Sequence, residues 1–230
     1  MNSSAAHADA PVALTPTIIK ICGITRLEDG LHALGQGADW LGFIRWPKSP
    51  RYRPADTLAD LITALRARAD VPFQAVGVYV DADPAVIAQE VAQCGLDRVQ
   101  LHGRETPDQV AAVAAALTPA RPLLKVLRVR DAASLNAAGD FPSVDLLADT
   151  DDPALPGGTG RAYDYHLLQE LIGQRRVLIA GGLTPANVGG VVAALRPFGV
   201  DVSSGVELSP GVKDHAKVAT FIQQARAARH

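Results

Sequence analysis

The sequence predicts an α/β fold, a single-domain (β/α)8 TIM barrel, on three observations. The 230 residues are 48% hydrophobic, enough for one sizeable core. Short β-branched apolar runs alternate with Ala/Leu-rich stretches from residue 18 to the end. Several of these runs are apolar throughout, the pattern of strands covered by helices on both faces. An open, doubly wound sheet would share this alternation, but eight strand–helix units in this length suit a minimal barrel.

The strands are predicted at 18–22, 40–44, 74–80, 98–101, 123–128, 144–148, 177–180 and 200–202. The first helix, 27–36, is closed by Gly37 as a C-cap. Helices 54–68 and 84–94 open on Pro54 and Pro84, a residue favoured in the first turn. Helix 106–117 has Thr106 as N-cap ahead of Pro107. Helices 131–138, 164–172, 185–195 and 215–228 complete the set. Residues 1–17, MNSSAAHADAPVALTPT, lack a basic region and a sustained apolar core, and read as a disordered extension rather than a signal peptide. The barrel is then 18–230.

Composition excludes several classes of function. Charged residues make up 20% and the net charge is −2, so there is no basic excess to hold nucleic acid. No run of about 18 apolar residues is available to cross a membrane. Two cysteines, Cys22 and Cys94, make no disulfide framework and suggest a reducing, cytoplasmic setting. An anionic ligand must therefore be held by a local site.

Barrel enzymes place their chemistry just after each strand. Those positions gather Cys22-Gly23, Arg45 to Arg53, Asp81, His102-Gly103, Asp149, Gly181-Gly182 and Ser203-Ser204-Gly205. The run AGGLTPANV sets two glycines and a Thr-Pro helix start after strand seven. VDVSSGVE sets Ser-Ser-Gly after strand eight. Glycines let backbone N–H groups approach an anion, serines add donors, and a helix N-terminus adds a favourable dipole. Barrel phosphate sites are frequently built from these two loops. PGGTG, at 156–160 in the loop after strand six, would add a third Gly-rich wall.

One glycine pair would mean no more than a tight turn; two such loops at these strands favour a phosphorylated small-molecule ligand. Cys94, beside Val91 in a helix, reads as a small buried hydrophobe. Cys22 differs by facing the pocket mouth, where a thiolate can serve as a base. Position alone leaves both readings of Cys22 open. Asp149 closes a core strand, as a helix cap, a salt-bridge partner or a catalytic acid. In RWPKSPRYRP, Lys48, Arg51 and Arg53 either bind a carboxylate or form a solvated basic loop.

KICGIT, LGFIRWPKSPRYR, VGVYVD, VQLHG, LLADT with PGGTG, AGGLTPANV and DVSSGVELSPGVKDH together resemble the phosphoribosylanthranilate isomerase family. They stand in the family's order and cover the chain from Ile18 to about Phe221. The resemblance implies a (β/α)8 barrel that rearranges N-(5-phosphoribosyl)anthranilate to 1-(2-carboxyphenylamino)-1-deoxyribulose 5-phosphate in tryptophan biosynthesis. It implies Cys22 as general base and Asp149 as general acid. Arg51 would bind the anthranilate carboxylate, and Gly181, Gly182, Ser203, Ser204 and Gly205 the phosphate. No metal or organic cofactor is implied, because the aminoaldose supplies its own iminium. The assembly implied is a monomer or a homodimer.

These roles ask for a lowered thiol pKa at Cys22 and partial desolvation of Asp149. Two departures from the family pattern stand out. Arg45 replaces a residue more often apolar or aromatic, and would pair with a nearby acid or alter the pocket rim. LLADT replaces the commoner LLDT. A related histidine-pathway isomerase would use paired aspartates, against the cysteine that ends strand one. A non-catalytic phospho-ligand sensor would not need both Cys22 and Asp149.

Overall fold

The computed structural model describes residues 17–131, 133–149 and 166–228. Eight parallel strands close into a barrel in chain order. They are β1 (Ile18–Cys22), β2 (Trp40–Ile44), β3 (Gln74–Tyr79), β4 (Arg98–Leu101), β5 (Leu123–Arg128), β6 (Asp145–Asp149), β7 (Val177–Ala180) and β8 (Gly199–Val202). The ring closes where β8 pairs with β1, Lys20 opposite Asp201 and Ile21 opposite Val202. β3 ends one residue earlier than predicted, and β6 and β8 are displaced or extended by one.

Strand alternation sorts the side chains into two cores. Trp40, Val76, Leu124, Val126, Leu147, Leu178 and Ala180 fill the inside. Ile19, Ile21, Leu41, Phe43, Ala75, Val99 and Leu127 face the helical shell. The inside is closed below by Arg98, whose guanidinium lies 4.3 Å from the Trp40 ring centroid and bonds Asp145 at 3.2 Å. This floor leaves the upper end of the barrel as the open one.

The helices are α1 (Leu27–Gly35), α2 (Ala55–Arg68), α3 (Pro84–Cys94), α4 (Pro107–Ala116), α5 (His166–Gln174), α6 (Val188–Leu195) and α7 (His215–Ala227). Thr106 and Gln109 form a reciprocal capping box on α4. Asp83 caps α3, which ends on Gly95 in the left-handed region. A short hairpin, β9 (Glu207–Ser209) with β10 (Val212–Lys213), follows β8.

Most helices end within a residue of the predicted bounds, α5 runs two residues past its predicted end, and two expected helices differ more. The fifth is a 3-10 segment, Ala133–Asp140. Ser134 accepts from Arg130 and Asp131 N–H and donates to the Asp131 carbonyl, bonds that compete with an α-helical ladder. α6 starts at Val188, three residues late, because Asn187 folds back onto Thr184 N–H and the Gly182 carbonyl. Thr17, assigned to the extension by sequence, is buried, and its carbonyl accepts from Arg226. The rest of the predicted extension, and the PGGTG wall, lie outside the described residues. Among the described residues no helix is long and apolar enough to cross a membrane.

Candidate active site

A cavity of about 280 Å³ opens at the C-terminal ends of the strands. Cys22, Arg51, Asp149, Gly181, Gly182, Ser203, Ser204 and Gly205 all line it. The eight residues to which the family resemblance gave a role are thus brought to one place. Lys48 and Arg53 are not among its walls, and Asp81 instead accepts from the Arg104 N–H at 2.6 Å. Gln100 and Asp201 are walls that sequence reasoning did not point to, and His102, gathered with the strand ends, is a wall to which it gave no role.

Cys22 stands on the inward face of β1 directly above Lys20, two residues back along the strand. Gly42 on β2 makes the room for both: a Cβ there would lie 2.7 Å from the Cys22 Sγ and 3.0 Å from the Lys20 Nζ. Lys20 is fully buried and bonds Asp201 across the β1–β8 seam at 2.9 Å. Burial alone would lower its pKa, but Asp201 and the neighbouring thiol outweigh that and raise it, so the ammonium is held charged.

The sequence-based expectation of a lowered Cys22 pKa is not met. Burial pushes the thiol up, and the nearby Asp201 carboxylate adds to it. Lys20 and Lys213 pull it down by less. Desolvation wins because Cys22 is only 5% exposed.

Asp149 ends β6 facing inward, its side chain 23% exposed and so partly desolvated. His102 Nε2 lies 3.3 Å from its Oδ2. His102 Nδ1 lies 3.0 Å from the Gln100 side-chain amide. Gln100 and His102 share the inward face of β4, so alternation aims both at the cavity. The imidazole can accept from a protonated Asp149 or donate to an ionised one, matching either state of an acid catalyst.

The β7 and β8 loops form the wall between β6 and β1. Gly181 and Gly182 have φ of +81° and +62°, a backbone that favours glycine. Gly205 lets the two loops touch, since a Cβ there would meet the Leu183 carbonyl at 2.0 Å. A single 3-10 turn, Ser204–Val206, starts at this junction. With α6 starting late, the cradle consists of loop backbone and serine hydroxyls rather than a long helix N-terminus.

Arg51 reaches the cavity from the β2 loop and is already held. Its Nε and Nη2 bond the two carboxylate oxygens of Glu207 at 2.9 and 2.5 Å. Glu207 also accepts from Lys213 Nζ at 2.9 Å. Lys213 in turn donates to the Cys22 carbonyl at 2.6 Å and the Ser203 carbonyl at 3.2 Å. One chain of bonds thus fixes the carboxylate-binding candidate, the end of β1 and the serine loop together. Burial alone would raise the Glu207 pKa, but hydrogen bonds and charge from Arg51 and Lys213 hold it below the ordinary range.

The signals for the missed residues were present in the motifs. Lys20 and Asp201 stand two residues before Cys22 and Ser203, on the same strand faces. Glu207 and Lys213 lie inside DVSSGVELSPGVKDH, but which cation each carboxylate meets depends on tertiary folding.

The family model described as N-(5'phosphoribosyl)anthranilate (PRA) isomerase matches residues 19–224. An N-(5'-phosphoribosyl)anthranilate isomerase from Geobacter sp. (strain M21) is 44% identical over 211 residues, 91% of this chain and 98% of that one. Among solved structures, the phosphoribosyl anthranilate isomerase from Thermotoga maritima matches with a TM-score of 0.81 and 34% identity, covering 92% of this chain and 99% of that one. Another phosphoribosyl anthranilate isomerase structure, in complex with reduced 1-(o-carboxyphenylamino)-1-deoxyribulose 5-phosphate, matches with a TM-score of 0.79 and 32% identity, covering 92% and 99%.

Proposed function

The chain belongs to the N-(5'-phosphoribosyl)anthranilate isomerase family, and we propose that Cys22 and Asp149 are the base and acid of its reaction. The reaction is the Amadori rearrangement of N-(5'-phosphoribosyl)anthranilate to 1-(2-carboxyphenylamino)-1-deoxyribulose 5-phosphate, a step of tryptophan biosynthesis. One observation carries the assignment of roles. Cys22 on β1 and Asp149 on β6 line one cavity, and the two Gly/Ser loops of β7 and β8 lie between them.

Asp149 gives its proton to the furanose ring oxygen. The C1–O bond breaks, and the nitrogen lone pair forms a C1 iminium. Cys22, as thiolate, takes the C2 proton, and the C2 electrons form the C1–C2 double bond as the nitrogen is neutralised. The enolamine then gains a proton at C1 and loses one from the C2 hydroxyl, giving the ketone. C1 is reduced and C2 oxidised within one molecule, so the enzyme is an aldose–ketose isomerase, an intramolecular oxidoreductase.

The iminium supplies a positive charge beside Cys22 when a base is needed. It adds to Lys20 and Lys213, whose pull alone falls short of burial in the free protein. Thiolate formation is thereby coupled to ring opening. Gly181, Gly182, Ser203, Ser204 and Gly205 hold the phosphate, and Arg51, steadied by Glu207, meets the anthranilate carboxylate. The barrel from residue 18 onward acts as one catalytic domain on a phosphorylated small molecule. A cytoplasmic setting suits the two free thiols, which a reducing compartment keeps available.

The test is turnover of freshly made N-(5'-phosphoribosyl)anthranilate, followed by loss of its fluorescence. Turnover without added metal or cofactor is expected. A folded protein with no turnover would sink the assignment.

A further inference from the structure

Arg45 lies outside the cavity, yet it grips the loop that carries Arg51. That loop leaves β2 after Ile44 and returns at Tyr52, which forms a parallel bridge back to Ile44. Arg45 stands at the departure point, its N–H bonded to the Val78 carbonyl at 2.8 Å. Its side chain is fully buried. Nη1 donates to the Arg53 carbonyl, and the guanidinium carbon lies 5.1 Å from the Tyr52 ring centroid. Nε and Nη2 reach the Glu90 carboxylate on α3 at 2.8 and 2.7 Å. The three contact directions of one planar group therefore tie the loop's return limb to a helix of the shell. Arg51 is the residue immediately before the gripped pair.

We propose that Arg45, anchored by Glu90, is a positioning residue that sets the reach of Arg51 toward the substrate carboxylate. This rests on the reading of Arg51 given above. A return limb held at a single backbone bridge can pivot about it. Gripping Tyr52 and Arg53 fixes the backbone from which Arg51 extends, so that Arg51 keeps both its fork on Glu207 and its place in the cavity wall. Pre-set placement of a binding cation lowers the ordering cost of substrate capture and leaves the chemical step on Cys22 and Asp149 untouched.

The experiment compares kcat and KM for Arg45→Met, for Arg45→Met with Glu90→Leu, for Arg51→Ala, and for Arg45→Met combined with Arg51→Ala. The Met/Leu pair removes both charges, so no uncompensated buried carboxylate remains to unfold the protein. The first two variants should raise KM about tenfold with kcat within about twofold of wild type. With Arg51 already removed, Arg45→Met should add nothing further to KM. With N-(5'-phosphoribosyl)aniline, which lacks the carboxylate, Arg45→Met should match wild type.

A fall in kcat at unchanged KM, or a KM effect that persists undiminished without Arg51, would overturn the proposal. A normal KM in both Arg45 variants while Arg51→Ala is impaired would overturn it alone. A normal KM in Arg51→Ala would instead overturn the carboxylate reading and take this proposal with it.

Discussion

Cys22 is subject to opposed influences: burial disfavours its thiolate, while Lys20 and Lys213 favour it. In the free protein burial prevails, so alkylation of Cys22 by iodoacetamide should rise with a midpoint above the ordinary thiol value of about 8.5. A midpoint below that value would contradict this balance. The identity of Cys22 was legible in KICGIT, but its titration was not. A sequence shows that Lys20 shares its strand face, not how much water the folded barrel removes. Glu207 makes the same point. Its place in the motif was visible, but its fork on Arg51 and bond to Lys213 arise only when the β2 and β8 loops meet. Glu207→Gln should loosen Arg51 and raise KM several-fold with a smaller change in kcat, read from steady-state kinetics. An unchanged KM would show that Arg51 needs no such partner.

At the scale of elements, the strands were legible because buried parallel strands are written as continuous apolar runs, and five of the eight have the predicted bounds. The helices were legible where start signals are explicit, as at Thr106-Pro107 and Pro84. They were less so where short polar side chains compete with the backbone. Ser134 turns the fifth helix into a 3-10 segment, and Asn187 delays α6. The second case matters for the proposed function, since it leaves the proposed phosphate cradle to the loops themselves. Gly205 is its tightest point. Gly205→Ala should therefore force the β7 and β8 loops apart and weaken competitive inhibition by inorganic phosphate by about tenfold or more. Unchanged inhibition would place the phosphate elsewhere. Thr106→Ala, far from the cavity, should cost about 1 kcal/mol in denaturant unfolding and leave activity unaltered.

Over the whole molecule, barrel closure brings residues from both ends of the chain into one cavity. Cys22 on β1 lies beside β8, and Asp149 on β6 faces it past the β7 and β8 loops. Buried ion pairs at this end of the barrel, Glu207 with Arg51 and Lys213 after β8 and Glu105 with Lys125 at 2.7 Å after β4, also set the protein's response to acid. Burial alone would raise Glu105 and Glu207, but Lys125 acts on the first, and Arg51 and Lys213 on the second, to leave both below the ordinary range. A depressed folded-state pKa contributes stability above the unfolded value, about 4.3, and loses it as pH falls through the folded value. The urea midpoint should therefore drop as pH is lowered below about 4.3, and Glu105→Gln with Glu207→Gln should flatten that drop. A wild-type midpoint that holds steady there would mean that these pairs do not depress their carboxyls. If one thiol and one carboxyl, set across this cavity, carry the reaction, kcat of Cys22→Ser at saturating N-(5'-phosphoribosyl)anthranilate should fall by about 10²- to 10⁴-fold, while product affinity measured on the same protein stays nearly unchanged. A Cys22→Ser protein turning over at close to the wild-type rate would rule out Cys22 as the base.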